Sequence, residues 1–121
     1  MEQLDKEFSN IEITDMVTTL KTGKSAGEDS ILNEMIKHGI KQLLPHIRRL
    51  FNQVLVSEQV PSSWGHGLIV PLYKSGDRNE PGNYRGITLS SSLCKLFNTL
   101  MNYRLTENLM SNEILCRTVW I

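Results

Sequence analysis

Cysteine is scarce in this chain. Cys94 and Cys116 are the only two in 121 residues, too few and too isolated for a disulfide framework or a zinc site, which leaves reduced intracellular thiols as the expectation. Long apolar runs are missing too. Nothing approaches the ~20 residues of a membrane span, and the acidic N-terminus has no continuous apolar segment, so a soluble, intracellular protein without membrane contact is expected, in nucleus or cytoplasm alike. His38, His46 and His66 lack metal-ligand spacing and stand near no Ser or Cys nucleophile arrangement, which makes them surface or packing residues. Thr22-Gly23-Lys24-Ser25 resembles the end of a P-loop, but the glycine required five positions earlier is replaced by Thr18 in a helical pattern, and an NTPase is excluded.

The formal net charge is zero, yet the charges are segregated. Eight of the 13 acids lie at or before Glu34 against three of the 13 bases, whereas Met35 to Arg104 carries nine bases and only Glu58, Asp77 and Glu80. A basic centre of this kind suits a phosphate-facing surface, although solvated helix faces have the same signature. The length is that of one small domain. Neither repeats nor linkers interrupt it, so its parts are expected to share one core.

The periodicity predicts an α+β protein: a helical N-terminal part, a long β-hairpin and a C-terminal helix. Ser9 and Glu12 have capping-box spacing, and Ile13, Met16, Val17 and Leu20 recur at helical intervals, predicting a helix over 10–21. Asp29 or Ser30 is placed to cap a short helix that Gly39 ends. The cleanest apolar stripe runs from Ile40 to Leu55. Pro45 lies within it, so that helix either starts near the proline or is kinked there. Trp64 is expected to pin the next connection to the core. Ser90, Ser91 or Ser92 can cap a last helix running to about Met110.

Between these helices, Ile69, Val70, Leu72 and Tyr73 suit a buried or half-buried strand, and Ile87, Thr88 and Leu89 begin a second one. Turn residues, including Gly76, Asp77, Asn79, Pro81 and Gly82, separate them. Lys74 ends the first run and Arg85 begins the second, so a closed hairpin holds two cations near each other. Lys offers a point charge and Arg a planar fork, a combination suited to an anionic ligand; on spacing and residue type alone, ordinary surface cations on a solvated hairpin are the stronger reading.

Four blocks carry a family resemblance. These are Lys24-Ser25 followed by Gly27-Glu28-Asp29, Val60-Pro61-Ser62-Ser63-Trp64, Ile69 to Asp77, and Asn83-Tyr84-Arg85-Gly86-Ile87-Thr88-Leu89. In order and spacing, from about Ile11 to Leu115, they resemble the opening motifs of non-LTR (LINE-type, jockey-like) retrotransposon reverse transcriptases. The resemblance implies an incomplete fingers subdomain with the edge of the palm in the last helix. It implies that Lys74 and Arg85 hold the triphosphate of an incoming dNTP, and that Lys24, Ser25, Gly27, Asp29, Arg78 and Tyr84 are candidates for template contact. A structural loop is the competing reading of residues 24–29, because glycine and capping residues also build turns.

Polymerase chemistry needs two divalent ions held by carboxylates. The palm aspartates that the resemblance requires for this are not in the sequence, and Asp77, Glu80, Glu107 and Glu113 fall in the hairpin loop and the terminal helical segments. Catalytic and metal residues are therefore expected to be none, with Mg2+ a requirement of the full-length family enzyme only. The chain reads as a fragment, inactive by itself, of an RNA-directed DNA polymerase whose partners are RNA template, DNA and dNTP. The alternatives are a non-catalytic module with weak RNA or nucleotide binding and a non-functional globular remnant. Self-association is expected through Phe97, Met101 and Leu105, left exposed where a palm would cover them.

The last six residues, 116–121, leave the family pattern, which continues toward Gln-x-Gly-Phe. Reverse translation with suitable codons and a one-nucleotide shift turns Cys-Arg-Thr-Val-Trp-Ile into Ala-Glu-Gln-Cys-Gly-Phe, which points to a frameshift or a false exon boundary. Reading the gene tests this: a shifted frame is expected to restore the motif and a downstream palm, and the absence of both in every frame overturns it.

Overall fold

A computed structural model describes residues 4–111; the off-pattern tail at 116–121 lies outside the described residues. Helix α1 spans Asn10–Thr18. Its N-cap, Ser9, is extended and accepts the Glu12 amide on its hydroxyl at 3.2 Å, satisfying one of the donors that a helix start leaves free. The other half of a capping box is not formed, because both Glu12 carboxylate oxygens are taken by Arg104. α1 also stops short of the expected Lys21. Near its end the hydroxyls of Thr18 and Thr19 bond the carbonyls of Asp15 and Met16 at 2.6 Å, local bonds that compete with helix continuation.

Helix α2 is Asn33–His38, with Leu32 at its N-cap and no side-chain cap. Neither Asp29 nor Ser30 caps it as expected. Asp29 instead accepts the Ile31 amide at 3.0 Å in an Asx-type turn, and Ser30 takes a left-handed φ of 60°. Gly39 ends α2 and stands directly before α3, Ile40–Ser57. α3 begins ahead of Pro45 and continues through it, which rules out a start at the proline. Ile47, Phe51 and Val54 are buried along it at spacings of four and three residues, the facing stripe of an amphipathic helix.

Helix α4 spans Ser92–Ser111, and its Leu96 and Leu100 complete a core with Phe8, Ile13, Val17, Ile36, Ile47 and Phe51. Aromatic edges interlock there. Phe51 lies 5.3 Å from Phe97 and 6.2 Å from Phe8 between ring centroids. Trp64, in a 3₁₀ turn at Ser62–Gly65, lies 5.6 Å from Phe97, so the connection is pinned as expected. The predicted exposed patch on α4 is corrected by this packing. Phe97 and Met101 are partly buried against the core, and of the three Leu105 alone, 45% exposed, faces solvent.

Strands β1 (Leu68–Tyr73) and β2 (Tyr84–Leu89) pair antiparallel, with Leu68 opposite Leu89 and Tyr73 opposite Tyr84. β2 begins at Tyr84, earlier than Ile87, because pairing extends to the foot of the connecting loop. Buried or half-buried residues are expected in β1, but Ile69, Val70 and Leu72 are 75%, 43% and 44% exposed. The sheet has two strands, and the hairpin packs chiefly on itself rather than on the helices. Helices plus one antiparallel hairpin make the fold α+β. Among the described residues no helix is long and apolar enough to cross a membrane.

Arg104 joins the two ends of the helical part. Its side chain is 8% exposed and grips Glu12 through both oxygens, at 2.6 and 2.8 Å. It also donates to the carbonyls of Leu4, Lys6 and Glu7 and lies 4.1 Å over the Phe8 ring. The hydrogen bond from Arg104 holds the Glu12 carboxyl below its ordinary pKa of 4.5 against partial burial. A depressed folded pKa gives stability that is present above the unfolded value and is lost as pH falls through the folded one. Thermal scans should therefore show acid destabilisation below about pH 4.5 in the parent chain that is reduced in Glu12→Gln. That variant should itself lose roughly 2 kcal/mol at neutral pH, less than the about 3–5 kcal/mol for breaking a fully buried pair, because Glu12 is partly exposed. A flat pH response in the parent would contradict this account.

Gly27 is buried, and a Cβ there would lie 2.7 Å from both the carbonyl carbon and oxygen of Ser90. Since backbone must shift to admit it, Gly27→Ala should lower Tm by several degrees, a change of about 1–3 kcal/mol. An unchanged Tm would mean that the loop is not packed this way.

Candidate functional site

The register decides where the two hairpin cations go. Leu72 stands opposite Arg85, and cross-strand partners share a face of the ribbon. The Lys74 amide donates to the Asn83 carbonyl at 2.8 Å, carrying the pairing one residue past β1. Lys74 is thus two residues from Leu72 and on the same face, diagonal to Arg85, a placement for which Cβ atoms are at most about 7–8 Å apart. Both side chains are exposed, and neither forms an ion pair among the described residues. The register therefore sets both cations on one face of the ribbon.

The loop beyond them is braced. The Tyr73 hydroxyl donates to the Gly76 carbonyl and the Tyr84 hydroxyl to the Arg78 carbonyl, the latter at 2.8 Å. Asn83 donates its amide to the Asp77 carbonyl at 2.8 Å, and Asp77 accepts the Asn79 amide at 3.0 Å. Gly76 has φ 91° and Asn83 Nδ2 is 2.8 Å from where its Cβ would be, so the turn needs glycine twice over. The Arg78 guanidinium lies 4.7 Å over the Tyr73 ring, and the rings of Tyr73 and Tyr84 stand 5.7 Å apart. Tyr73 and Tyr84 occupy the face opposite Lys74 and Arg85. Two of the candidate template residues, Arg78 and Tyr84, therefore belong to the other side of the ribbon and help to hold its tip.

The Lys74/Arg85 face runs down through Ile87 and Leu89, which line a recess of about 560 Å³ together with Lys21, Lys24, Ser25 and Lys95. No acidic residue lines it. Lys24 and Ser25 thus stand on the same side as the cation pair. Gly27 and Asp29 do not join them: Gly27 is packed against the Ser90 backbone, and Asp29 makes its Asx turn beside a smaller recess of about 170 Å³ with Glu28, Ser63, His66 and Ser91. Lys21 and Lys95 are recess residues that the sequence reading missed. Lys95 had a signal, since it shares a helical face with Ser92 and Thr99, both on the same wall; Lys21 had none.

No family model matches the chain. It is 33% identical over 105 residues, 85% of its length, to the Retrovirus-related Pol polyprotein from type-1 retrotransposable element R1 of Bradysia coprophila. In Drosophila melanogaster it is 29% identical over 101 residues, 83% of its length, to the Probable RNA-directed DNA polymerase from transposon X-element. It is also 30% identical over 95 residues, 78% of its length, to the RNA-directed DNA polymerase from mobile element jockey. The chain spans about a tenth of each of these relatives, 10%, 11% and 10% in turn. Over most of its length, then, this chain belongs with the RNA-directed DNA polymerases of non-LTR retrotransposons, as a segment corresponding to about 10% of such a protein.

Proposed function

We propose that the chain is the fingers part of a retrotransposon reverse transcriptase, in which Lys74 and Arg85 hold the triphosphate of an incoming dNTP. The observation that carries this is the hairpin register, which sets a point cation and a guanidinium fork diagonally on one face of a braced ribbon. Lys supplies charge without fixed direction and Arg pairs with two phosphate oxygens at once. Together they suit adjacent phosphates better than a single carboxylate. Lys24 and Ser25, with Lys21 and Lys95, line the recess below, where template RNA lies in this reading. Gly27, Asp29, Arg78 and Tyr84 shape the surface and do not contact the template.

The chain binds without catalysing. Phosphoryl transfer to a primer requires divalent ions on carboxylates, and among the described residues no three His, Cys, Asp or Glu side chains converge. In this reading the ion belongs with carboxylates of the full-length polymerase.

Binding of a fluorescent dNTP tests the assignment. Each charge-assisted hydrogen bond contributes about 1.5–3 kcal/mol, so Lys74→Ala combined with Arg85→Ala should weaken affinity at least ~10-fold. Primer extension by the chain alone is expected to be absent with or without added Mg2+. Unchanged dNTP affinity in the double variant would overturn the role of the pair.

A further inference from the structure

A second basic surface lies on α3. All 18 residues from Ile40 to Ser57 lack an acid while including Lys41, His46, Arg48 and Arg49. Lys41, Arg48 and Arg49 line a recess of about 540 Å³ with Pro45 and Asn52, and Glu7 is the one acid on its wall. It shares no lining residue with the recess below the hairpin.

Two of its side chains are already engaged. Arg48 Nε donates to the Phe8 carbonyl at 3.1 Å, and Asn52 Oδ1 accepts the Phe8 amide at 2.6 Å, which fixes the recess wall to the core. Lys41 and Arg49 are exposed and have no ion-pair partner among the described residues. Two unpaired cations beside a braced third form a positive concavity that single solvated lysines do not.

We propose that this face of α3 binds the phosphodiester backbone of RNA, with Lys41 and Arg49 on phosphates. The choice of RNA among polyanions rests on the proposed function above. The site itself is independent of Lys74 and Arg85.

The test is anisotropy of a fluorescent single-stranded RNA, and of a DNA of the same sequence, across a salt series. Lys41→Glu with Arg49→Glu should weaken RNA binding at least ~10-fold, and the slope of log affinity against log salt should fall by about 1.4, two contacts at ~0.7 each. Lys74→Ala with Arg85→Ala should leave this component in place, and DNA should lose the same component in the α3 variants, because phosphate contacts are common to both strands. Lys41→Gln with Arg49→Gln, checked by circular dichroism, gives the same reading if charge reversal impairs folding. RNA binding that is unaltered by both α3 variants overturns the surface. Loss of dNTP binding alone in the hairpin variant, with RNA binding retained, supports the surface separately from the hairpin.

Discussion

Arg104 is the residue through which the helical part closes. Its guanidinium satisfies Glu12 on α1 and three carbonyls of the segment before it, and lies on the face of Phe8. Phe8 in turn sits edge-on to Phe51 and Phe97, so one charged side chain positions the aromatic that links α1, α3 and α4. A buried cation is costly unless its donors are used. Here the donors are spent on Glu12 and on main-chain acceptors of residues 4, 6 and 7, and the N-terminal segment is fixed where a hydrophobic contact alone would allow it to slide.

The hairpin follows a different rule. A two-stranded ribbon with its apolar residues largely exposed has little support from a core, and the order at its tip comes from local bonds made by Tyr73, Tyr84, Asn83 and Asp77. That construction suits a ligand-facing element. Its apolar faces are free to meet other surfaces while the polar tip keeps a defined shape. It also explains why Arg78 and Tyr84, polar and conspicuous in sequence, serve the tip and not the cation face.

The two basic recesses have a common logic, in that each sets cations against a wall already fixed by main-chain bonds. Below the hairpin, the tight approach of Gly27 to Ser90 and the bond from Ser92 to the Ile31 carbonyl at 2.9 Å draw the loop before α2 onto the start of α4. On α3, Arg48 and Asn52 hold the Phe8 backbone. Electrostatic surfaces gain from such rigidity, because cations held in place lose less freedom when a polyanion arrives.

The sequence by itself determined the helices at α1, α3 and α4, the hairpin and the relationship to retrotransposon polymerases. Those features are written in local periodicity, turn residues and motif order, which depend on near neighbours. The tertiary structure decided which charges are structural and which are free. Glu12 has the spacing of a helix cap, yet it serves Arg104, 92 residues away in sequence. Asp29 closes a turn, Gly27 makes room for Ser90, and Phe97 and Met101 turn inward to the core. Lys21 joins Lys24 and Lys95 only because α4 returns beside the first loop. Contacts of that range depend on how separate elements pack, and a one-dimensional pattern carries no record of which faces will meet.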